Sequence, residues 1–249
     1  MKRIALLYHD VVEEGEFRSS GFASSDADIY KLEREAFHEH LEAISGSNAH
    51  LLFTFDDGGV SFLDLIAPAL ERHGWRGLFF IATNWIGSPG FLKASQIAEL
   101  RRRGHHIGTH SCSHPERMSH CAFEEIVDEW RRSACILEDI IGETVQTGSV
   151  PGGFFSRKVA KAAAKAGLRA LFTSEPTAGT YSVNGCAVLG RFTLQQGASA
   201  QTAAALARGQ LVPCLQQSLY WNAKKILKIA GGAAWLKLRR RILQEKMGS

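Results

Sequence analysis

The sequence predicts an α/β protein in which helices cover a parallel sheet. Strand-like and helix-like segments alternate along most of the 249 residues, with turn-forming residues between them. The most informative segment is the apolar run 51–55, which leads directly into Asp56 and Asp57. Seven strands of this kind indicate a barrel. Because parallel strands carry their chemistry at their carboxyl ends, we expect the two aspartates at a functional edge.

The elements are expected in a regular order. Ser95 is predicted to cap the third helix, and Gly142 to end the fourth. Residues 11–30 are predicted to form a loop, and ordered loops of this length are often functional. The predicted strands are residues 3–8, 51–55, 77–82, 105–109, 144–149, 168–173 and 187–189. The predicted helices are residues 30–44, 62–73, 95–103, 123–141 and 156–166.

Composition indicates one large core and free thiols. A hydrophobic fraction of 45% is ordinary for a globular chain of this length. The five cysteines are odd in number and include no Cys-x-x-Cys pair, which favours a reducing compartment. The aliphatic run near the first residue is too short for a signal peptide or a membrane span. The sequence therefore predicts a cytoplasmic protein.

The positive charge is concentrated near the end of the chain. Residues 224–246 contain eight basic residues and one glutamate, whereas the whole chain has a net charge of +4, so the remainder is acidic. The pattern predicts a barrel domain over residues 1–195 and a helical extension over 196–249 that is basic from residue 224. Interleaved apolar residues suit an anionic membrane surface at the inner face of the membrane, or a lipid-linked sugar precursor. The other interpretation is a tail packed on the barrel with a solvated basic face. No nucleic-acid partner is expected.

A second motif follows the fourth predicted strand. His110 and His114 are four residues apart, so one helical turn would direct both toward the same ion. Two imidazoles and a carboxylate are the usual ligands of a catalytic zinc. The pair is a weak signal alone, because the chain has ten histidines. Together with Asp56 and Asp57 it suggests a His-His-Asp site with a spare aspartate as base. The alternative for the aspartates is an Asp-Gly turn that caps a helix.

A third motif, residues 149–155, also follows a predicted strand. Its sequence is Ser-Val-Pro-Gly-Gly-Phe-Phe. Proline and two glycines permit a tight turn whose backbone amides can receive an oxyanion. A plain strand-to-helix connection explains the same residues equally well.

These motifs together resemble the polysaccharide deacetylase family, the NodB homology domain of carbohydrate esterase family 4. The Thr-Phe-Asp-Asp-Gly motif of that family is matched by residues 54–58, and its His-(Ser/Thr)-x-x-His motif by residues 110–114. Its third motif, Arg-x-Pro-(Tyr/x)-Gly, is matched in part by residues 150–153. The resemblance extends over roughly residues 1–195, and the opening residues are similar to a subgroup associated with exopolysaccharide biosynthesis.

The resemblance implies a distorted (β/α)7 barrel that hydrolyses an N-acetyl group from an amino sugar, in a polysaccharide or a lipid-linked precursor. It further implies that Asp57, His110 and His114 hold one divalent metal ion, usually zinc. Asp56 would then be the general base. The backbone amide of Gly152 would stabilise the oxyanion.

The chain departs from the family at three places. Ser149 replaces the arginine that orients the base, residues 173–176 replace an Asp/Trp motif, and Arg191 replaces the histidine that protonates the leaving amine. His9 and Glu175 lie at predicted strand ends and are the candidate general acids. Arg191 is expected to bind a substrate carboxylate or phosphate, or to steady the intermediate. The departures leave a second interpretation open, a catalytically inactive sugar-binding relative with a structural metal.

Overall fold

The computed structural model describes residues 4–46 and 51–223. The strands are β1 Ile4–Tyr8, β2 Val11–Val12, β3 Leu32–Glu33, β4 Leu51–Phe55, β5 Gly77–Ile81, β6 His106–Thr109, β7 Thr147–Ser149, β8 Ala170–Phe172, β9 Thr180–Val183, β10 Cys186–Leu189 and β11 Phe192–Thr193. The α-helices are α1 Ser25–Asp28, α2 Arg34–Ser45, α3 Ala67–Arg72, α4 Ala94–Arg102, α5 Phe123–Ile141, α6 Arg157–Lys165 and α7 Ala200–Ala207. Residues 211–223 are also helical.

One sheet organises the molecule. Within the described residues its strand order is β11-β1-β4-β5-β6-β7-β8-β10-β9. Every neighbouring pair is parallel except β10 and β9. All seven predicted strands are confirmed as parts of this sheet. Their carboxyl ends consequently lie along the same edge.

Side chains alternate between the two faces of the sheet, as a strand period of two requires. Leu6, Phe53 and Phe79 belong to the large core that includes residues of the outer helices. Phe80 and Phe172 belong to a separate inner cluster. Among the described strands no pairing joins β9 to β11, so the barrel is open between its edge strands. A sheet buried on both faces explains the continuous apolar runs of the sequence.

Several helix boundaries differ from the prediction. The third predicted helix is α4, which begins at residue 94 rather than being capped by Ser95. The side chain of Gln96 accepts a hydrogen bond from the backbone N–H of Lys93 and thereby caps the helix from within its first turn. The second predicted helix begins as a π-helical turn, Phe62–Ile66, before α3. Gly142 ends α5 in the left-handed conformation, as predicted.

The segment predicted as a loop over residues 11–30 is partly regular. β2 pairs with β3 in a small parallel ribbon, and α1 lies between them. After β11 the chain continues into α7, whose Ala203 and Leu206 belong to the large core. Of the predicted extension, residues 224–249 lie outside the described residues. No helix among the described residues is long and apolar enough to cross a membrane.

Candidate metal centre and catalytic site

Four strand ends meet at the carboxyl edge of the sheet. Asp56 and Asp57 directly follow β4, His110 directly follows β6, and Ser149 is the last residue of β7. Arg191 lies in the short connection between β10 and β11. Side chains from these places contact one another, so residues that are far apart in sequence form one site.

Asp57, His110 and His114 form a compact group of metal ligands. Oδ1 of Asp57 lies 3.3 Å from Nε2 of His110 and 3.4 Å from Nε2 of His114. The ligand atoms of the three residues all lie within 4.8 Å of one another. Two imidazoles and one carboxylate are a donor set typical of a catalytic zinc with an open position. The residues present therefore fit one divalent ion.

The ionisation of Asp57 also suits a metal. Burial alone would raise the pKa of Asp57, but hydrogen bonds from His110 and His114 hold it well below its usual range. Burial would lower the pKa of His114, yet the hydrogen bond and charge of Asp57 raise it. Asp57 is consequently ionised, which is the state that a metal ligand needs.

Unusual backbone conformations direct these ligands into the pocket. Asp57 has φ 92° and His114 has φ 55°, in the left-handed region that non-glycine residues rarely adopt. The turn that brings two neighbouring aspartates to one pocket therefore begins at Asp57 itself, before the Gly58-Gly59 pair. A Cβ at Gly59 would lie 1.8 Å from Oδ1 of Asp10, so that position has room only for glycine.

Hydrogen bonds outside the metal ligands fix their orientation. Nδ1 of His110 donates to the carbonyl oxygen of Ser149 at 2.9 Å, so Nε2 is the ring nitrogen that faces the metal site. The carboxylate of Glu129 accepts from the backbone N–H of Cys112 at 2.9 Å and of Ser113 at 2.8 Å. Glu129 lies on α5 and holds the loop between the two histidines. No sequence motif identifies Glu129.

Asp56 is held by a buried ion pair. Nη1 of Arg191 donates to Oδ1 of Asp56 and Nη2 donates to Oδ2, each at 2.8 Å. The hydroxyl of Ser149 donates to Oδ2 at 2.9 Å. Burial would raise the pKa of Asp56, but the charge and hydrogen bonds of Arg191, together with the charges of His110 and His9, lower it. Asp56 is consequently ionised and fixed in orientation.

Arg191 uses all of its donors within the protein. Nε donates to the carbonyl oxygen of Thr173 at 3.1 Å, Nη1 also donates to Oγ1 of Thr54 at 3.2 Å, and Nη2 also donates to Oγ of Ser149 at 2.8 Å. These bonds and the two to Asp56 account for the five N–H groups of a guanidinium. The side chain is fully buried. The expectation that Arg191 binds a substrate anion or steadies the intermediate is therefore corrected, because no donor remains for it.

His9 lies near the two aspartates. Within the described residues its Nδ1 is buried without a hydrogen-bond partner, and its ring packs 4.8 Å from that of Tyr30. Burial lowers the pKa of His9, while the charges of Asp57 and Asp56 act in the opposite direction. His9 is thus close enough for its ionisation to respond to both carboxylates.

The other candidate acid, Glu175, supports the turn that carries Arg191. Its carbonyl oxygen accepts from the backbone N–H of Arg191 at 2.9 Å. A Cβ at Gly190 would lie 2.4 Å from the same oxygen. Position 190 therefore has room only for glycine, and this glycine allows the backbones of Glu175 and Arg191 to come together. The charge of Glu175 contributes to the raised pKa of Tyr181, after burial.

Gly152 lies just beyond β7, three residues after Ser149. It has φ 63°, and a Cβ there would lie 2.5 Å from the carbonyl oxygen of Glu116. Glycine is therefore required at this position for backbone reasons. Its proposed contact with an oxyanion stays a prediction.

The long segment after β1 is fixed to the site by buried charges. Oδ1 of Asp10 accepts from Oγ of Ser20 at 2.6 Å and from Oγ of Ser61 at 2.8 Å. Lys31 is almost completely buried, and its Nζ donates to the carbonyl oxygens of Phe17 and Phe22. The sequence predicted that this segment would be functional but did not identify Asp10 or Lys31 as its anchors.

Comparisons with known proteins agree on one family. A sequence model of the polysaccharide deacetylase family matches residues 44–171. Chitin deacetylase 1 of Cryptococcus neoformans is 28% identical over 131 residues, which cover 53% of this chain and 27% of that protein. The structure of the Streptococcus pyogenes deacetylase PplD, in complex with acetate, superposes with a TM-score of 0.67 at 18% identity, over 81% of this chain and 96% of that one.

A second solved structure gives a similar result. IcaB from Ammonifex degensii superposes with a TM-score of 0.66 at 20% identity, over 83% of this chain and 97% of that one. At such identities the superpositions establish the fold. The chain spans less than half the length of the curated relatives that it matches.

Proposed function

The chain belongs to the polysaccharide deacetylase family, and we propose that it is a metal-dependent hydrolase that removes an N-acetyl group from an amino sugar. The substrate is a polysaccharide or a lipid-linked glycan precursor. The observation that carries this proposal is the ligand group Asp57, His110 and His114, which lies beside an ionised and immobilised Asp56.

The proposal assigns a role in the hydrolysis to each of these groups. A divalent ion, for which zinc is the first choice, supplies Lewis-acid chemistry when bound to Asp57, His110 and His114. Asp56 accepts a proton from the attacking water, and its low pKa keeps it ready to do so at neutral pH. The backbone amide of Gly152 donates to the oxygen on which negative charge develops.

The leaving amine needs a proton, and His9 is our first choice to deliver it. Its ionisation responds to Asp56 and Asp57, and its buried Nδ1 lacks a protein partner among the described residues. Glu175 is the alternative. Arg191 cannot serve, because a guanidinium keeps its proton at any working pH and its donors are already engaged.

Acetate release tests the proposal. Pure protein is incubated with fully N-acetylated chitotetraose, with and without a chelator, and released acetate is measured. We expect release that the chelator abolishes and added zinc restores. Asp56→Asn serves as the matched control, since it keeps the proposed metal ligands and removes the base.

The alternative is an inactive sugar-binding relative with a structural metal. It predicts a metal-containing protein that releases no acetate and loses thermal stability when the metal is removed. Absence of acetate at full metal occupancy, with retained sugar binding by calorimetry, would favour this alternative over the hydrolase.

We also propose that the protein acts in the cytoplasm at an anionic membrane surface. The helical residues 211–223 direct Gln217 toward the barrel, where its side chain bonds the backbone of Thr193 at 2.8 and 3.0 Å. Its exposed face is apolar, and the eight basic residues of 224–246 follow in the sequence. Such a combination suits binding to anionic lipid headgroups. The exposed apolar residues are Leu211, Val212, Leu215 and Leu219.

Liposome sedimentation tests the membrane contact. The full-length protein is expected to sediment with vesicles containing phosphatidylserine, and less with neutral vesicles or at high salt. Leu215→Asp together with Leu219→Asp should reduce binding. Equal sedimentation of this variant and the wild type would show that the apolar face does not contribute to membrane binding.

A further inference from the structure

Three aromatic side chains form a cluster against one metal ligand. The ring of Phe22 lies 4.8 Å from the imidazole of His114, 5.0 Å from the ring of Trp85 and 5.0 Å from that of Phe91. Trp85 and Phe91 are stacked at 5.2 Å. Phe91 is buried, but Trp85 is 38% exposed. The exposed part of Trp85 is therefore separated from His114 only by the ring of Phe22.

The position of this cluster is fixed by the backbone around it. The N–H of Gly21 donates to the carbonyl oxygen of Gly90 at 2.9 Å, which joins the segment of Phe22 to that of Phe91. The N–H of Asn84 donates to the carbonyl oxygen of Cys112 at 3.0 Å, so the turn that carries Trp85 is bonded to the loop that ends at His114. The aromatic surface is consequently preformed.

Buried charges hold Phe22 in the cluster. Nζ of Lys31 donates to the carbonyl oxygen of Phe22 itself at 2.8 Å. Two residues earlier, Ser20 donates to Asp10. Burial of the charged groups of Asp10 and Lys31 costs free energy unless each has hydrogen-bond partners, and both have them here.

We propose that Trp85, supported by Phe22 and Phe91, is a stacking surface for a second sugar ring of the substrate, next to the ring whose N-acetyl group lies at the metal site. This inference rests on the proposed function. The apolar C–H face of a pyranose suits an exposed indole, which offers a large and rigid contact area at little cost in side-chain entropy. The protein would accordingly prefer a chain of amino sugars to a single one.

The test compares substrates of two lengths. The probes are N-acetylglucosamine and fully N-acetylated chitotetraose, and kcat and KM are measured for each. The wild type should have the higher kcat/KM on the tetramer. Trp85→Ala should lower the ratio of tetramer to monomer kcat/KM by about twofold to tenfold, mainly through KM, because an aromatic contact contributes about 0.5–1.5 kcal/mol. Trp85→Phe should restore much of the ratio.

Tyr220→Ala is the control, since Tyr220 is exposed and lies on the helical residues 211–223. It should leave the ratio unchanged. An unchanged ratio in Trp85→Ala, or the same ratio in Trp85→Ala and Tyr220→Ala, overturns the proposal. So does an equal loss of kcat/KM on both probes, which would make Trp85 a structural residue.

Calorimetric binding of chitotetraose separates this proposal from the proposed function. Suppose that the wild type releases no acetate but binds the tetramer, and that Trp85→Ala weakens this binding. The deacetylase proposal then fails and the stacking surface stands. If acetate is released without any dependence on Trp85, the stacking surface fails and the deacetylase stands. If the tetramer neither binds nor reacts, both are rejected.

Discussion

Arg191 and Asp56 form a bidentate ion pair, with both N–H···O contacts at 2.8 Å, although 135 positions separate them in the sequence. The resemblance to known deacetylases leads one to expect an arginine at position 149 and a histidine at position 191. The chain has serine and arginine there, and the two side chains hydrogen-bond each other beside Asp56. The guanidinium that orients Asp56 thus enters from a different strand end. The arginine at position 191 takes over the contact with Asp56 that the serine at position 149 cannot make, and position 191 has no histidine to act as the proposed acid.

Replacing Arg191 by lysine tests this pairing. Lysine keeps the charge but loses the planar fork, so Asp56 should lose its fixed orientation and turnover should fall. Because Arg191 lowers the pKa of Asp56, weakening the pair should raise that pKa and move the acid limb of the pH–rate profile to higher pH. Ser149→Ala, which removes one hydrogen bond, should give a smaller change in the same direction. An acid limb that does not move in Arg191→Lys would contradict the assignment.

Removing either histidine of the ligand group should remove the metal. His110→Ala and His114→Ala each leave two of three protein ligands, so elemental analysis of purified protein should show little bound metal and acetate release should disappear. His120→Ala, at an exposed histidine after the same strand, is the control and should keep the metal. Full occupancy in either ligand variant would rule out this ligand set.

Asp56→Asn should separate catalysis from metal binding. The amide keeps the shape of the carboxylate but cannot accept the proton of the attacking water, so turnover should fall by about 10²- to 10⁴-fold. Metal content should stay at the wild-type level, because the ligand group uses the neighbouring Asp57. A near-wild-type rate would place the base elsewhere, and loss of metal would make Asp56 a ligand.

Asp10 should make stability depend on pH. Burial raises its pKa from 3.8 to about 6, although hydrogen bonds from Ser20 and Ser61 act in the opposite direction. A carboxyl group whose pKa is raised in the folded state stabilises the fold fully below its unfolded pKa, and this contribution is lost as the pH rises through about 6. Asp10→Asn does not titrate and still offers an oxygen to both hydroxyls.

The measurement is the unfolding free energy of metal-free protein between pH 4 and pH 7. The advantage of Asp10→Asn over wild type should grow across this window by an amount on the order of 3 kcal/mol. Glu14→Gln, at an exposed position of the same segment, is the control and should show no such growth. A constant difference between Asp10→Asn and wild type would show that Asp10 titrates normally.

The sequence predicts the strands of this fold better than its helix ends. Each of the seven predicted strands is present. They were predictable because a buried parallel strand appears in the sequence as a continuous apolar run. The start of α4 was misplaced because the cap is supplied from inside the helix by Gln96 rather than by a preceding serine. β2 and β3 were missed because strands of two residues leave no periodic signal.

In the site, the residues of the motifs were predictable from the sequence, whereas the residues that hydrogen-bond to them and hold them in place were not. Asp57 and the two histidines lie in short local patterns whose chemistry is readable. The contacts of Arg191 and Glu129 depend on which strand ends and helices adjoin in space, and no local pattern encodes that. Arg191 was consequently assigned to the substrate, when its burial and five engaged donors assign it to Asp56.

The identity of the general acid is decided by the alkaline limb of the pH–rate profile. If His9 protonates the leaving amine, activity must fall as His9 loses its proton. Because burial lowers the pKa of His9, we expect this limb to begin below the ordinary histidine value of about 6.5. His9→Ala should slow acetate release, keep the metal and abolish the limb. His38→Ala is a matched control, since the pKa of His38 is also lowered by burial but the residue lies on the outer helix α2, paired with Arg72. That variant should keep both the rate and the limb. If the limb persists in His9→Ala and is lost instead in Glu175→Gln, the role belongs to Glu175, whose carboxyl group would then need a strongly raised pKa in the substrate complex.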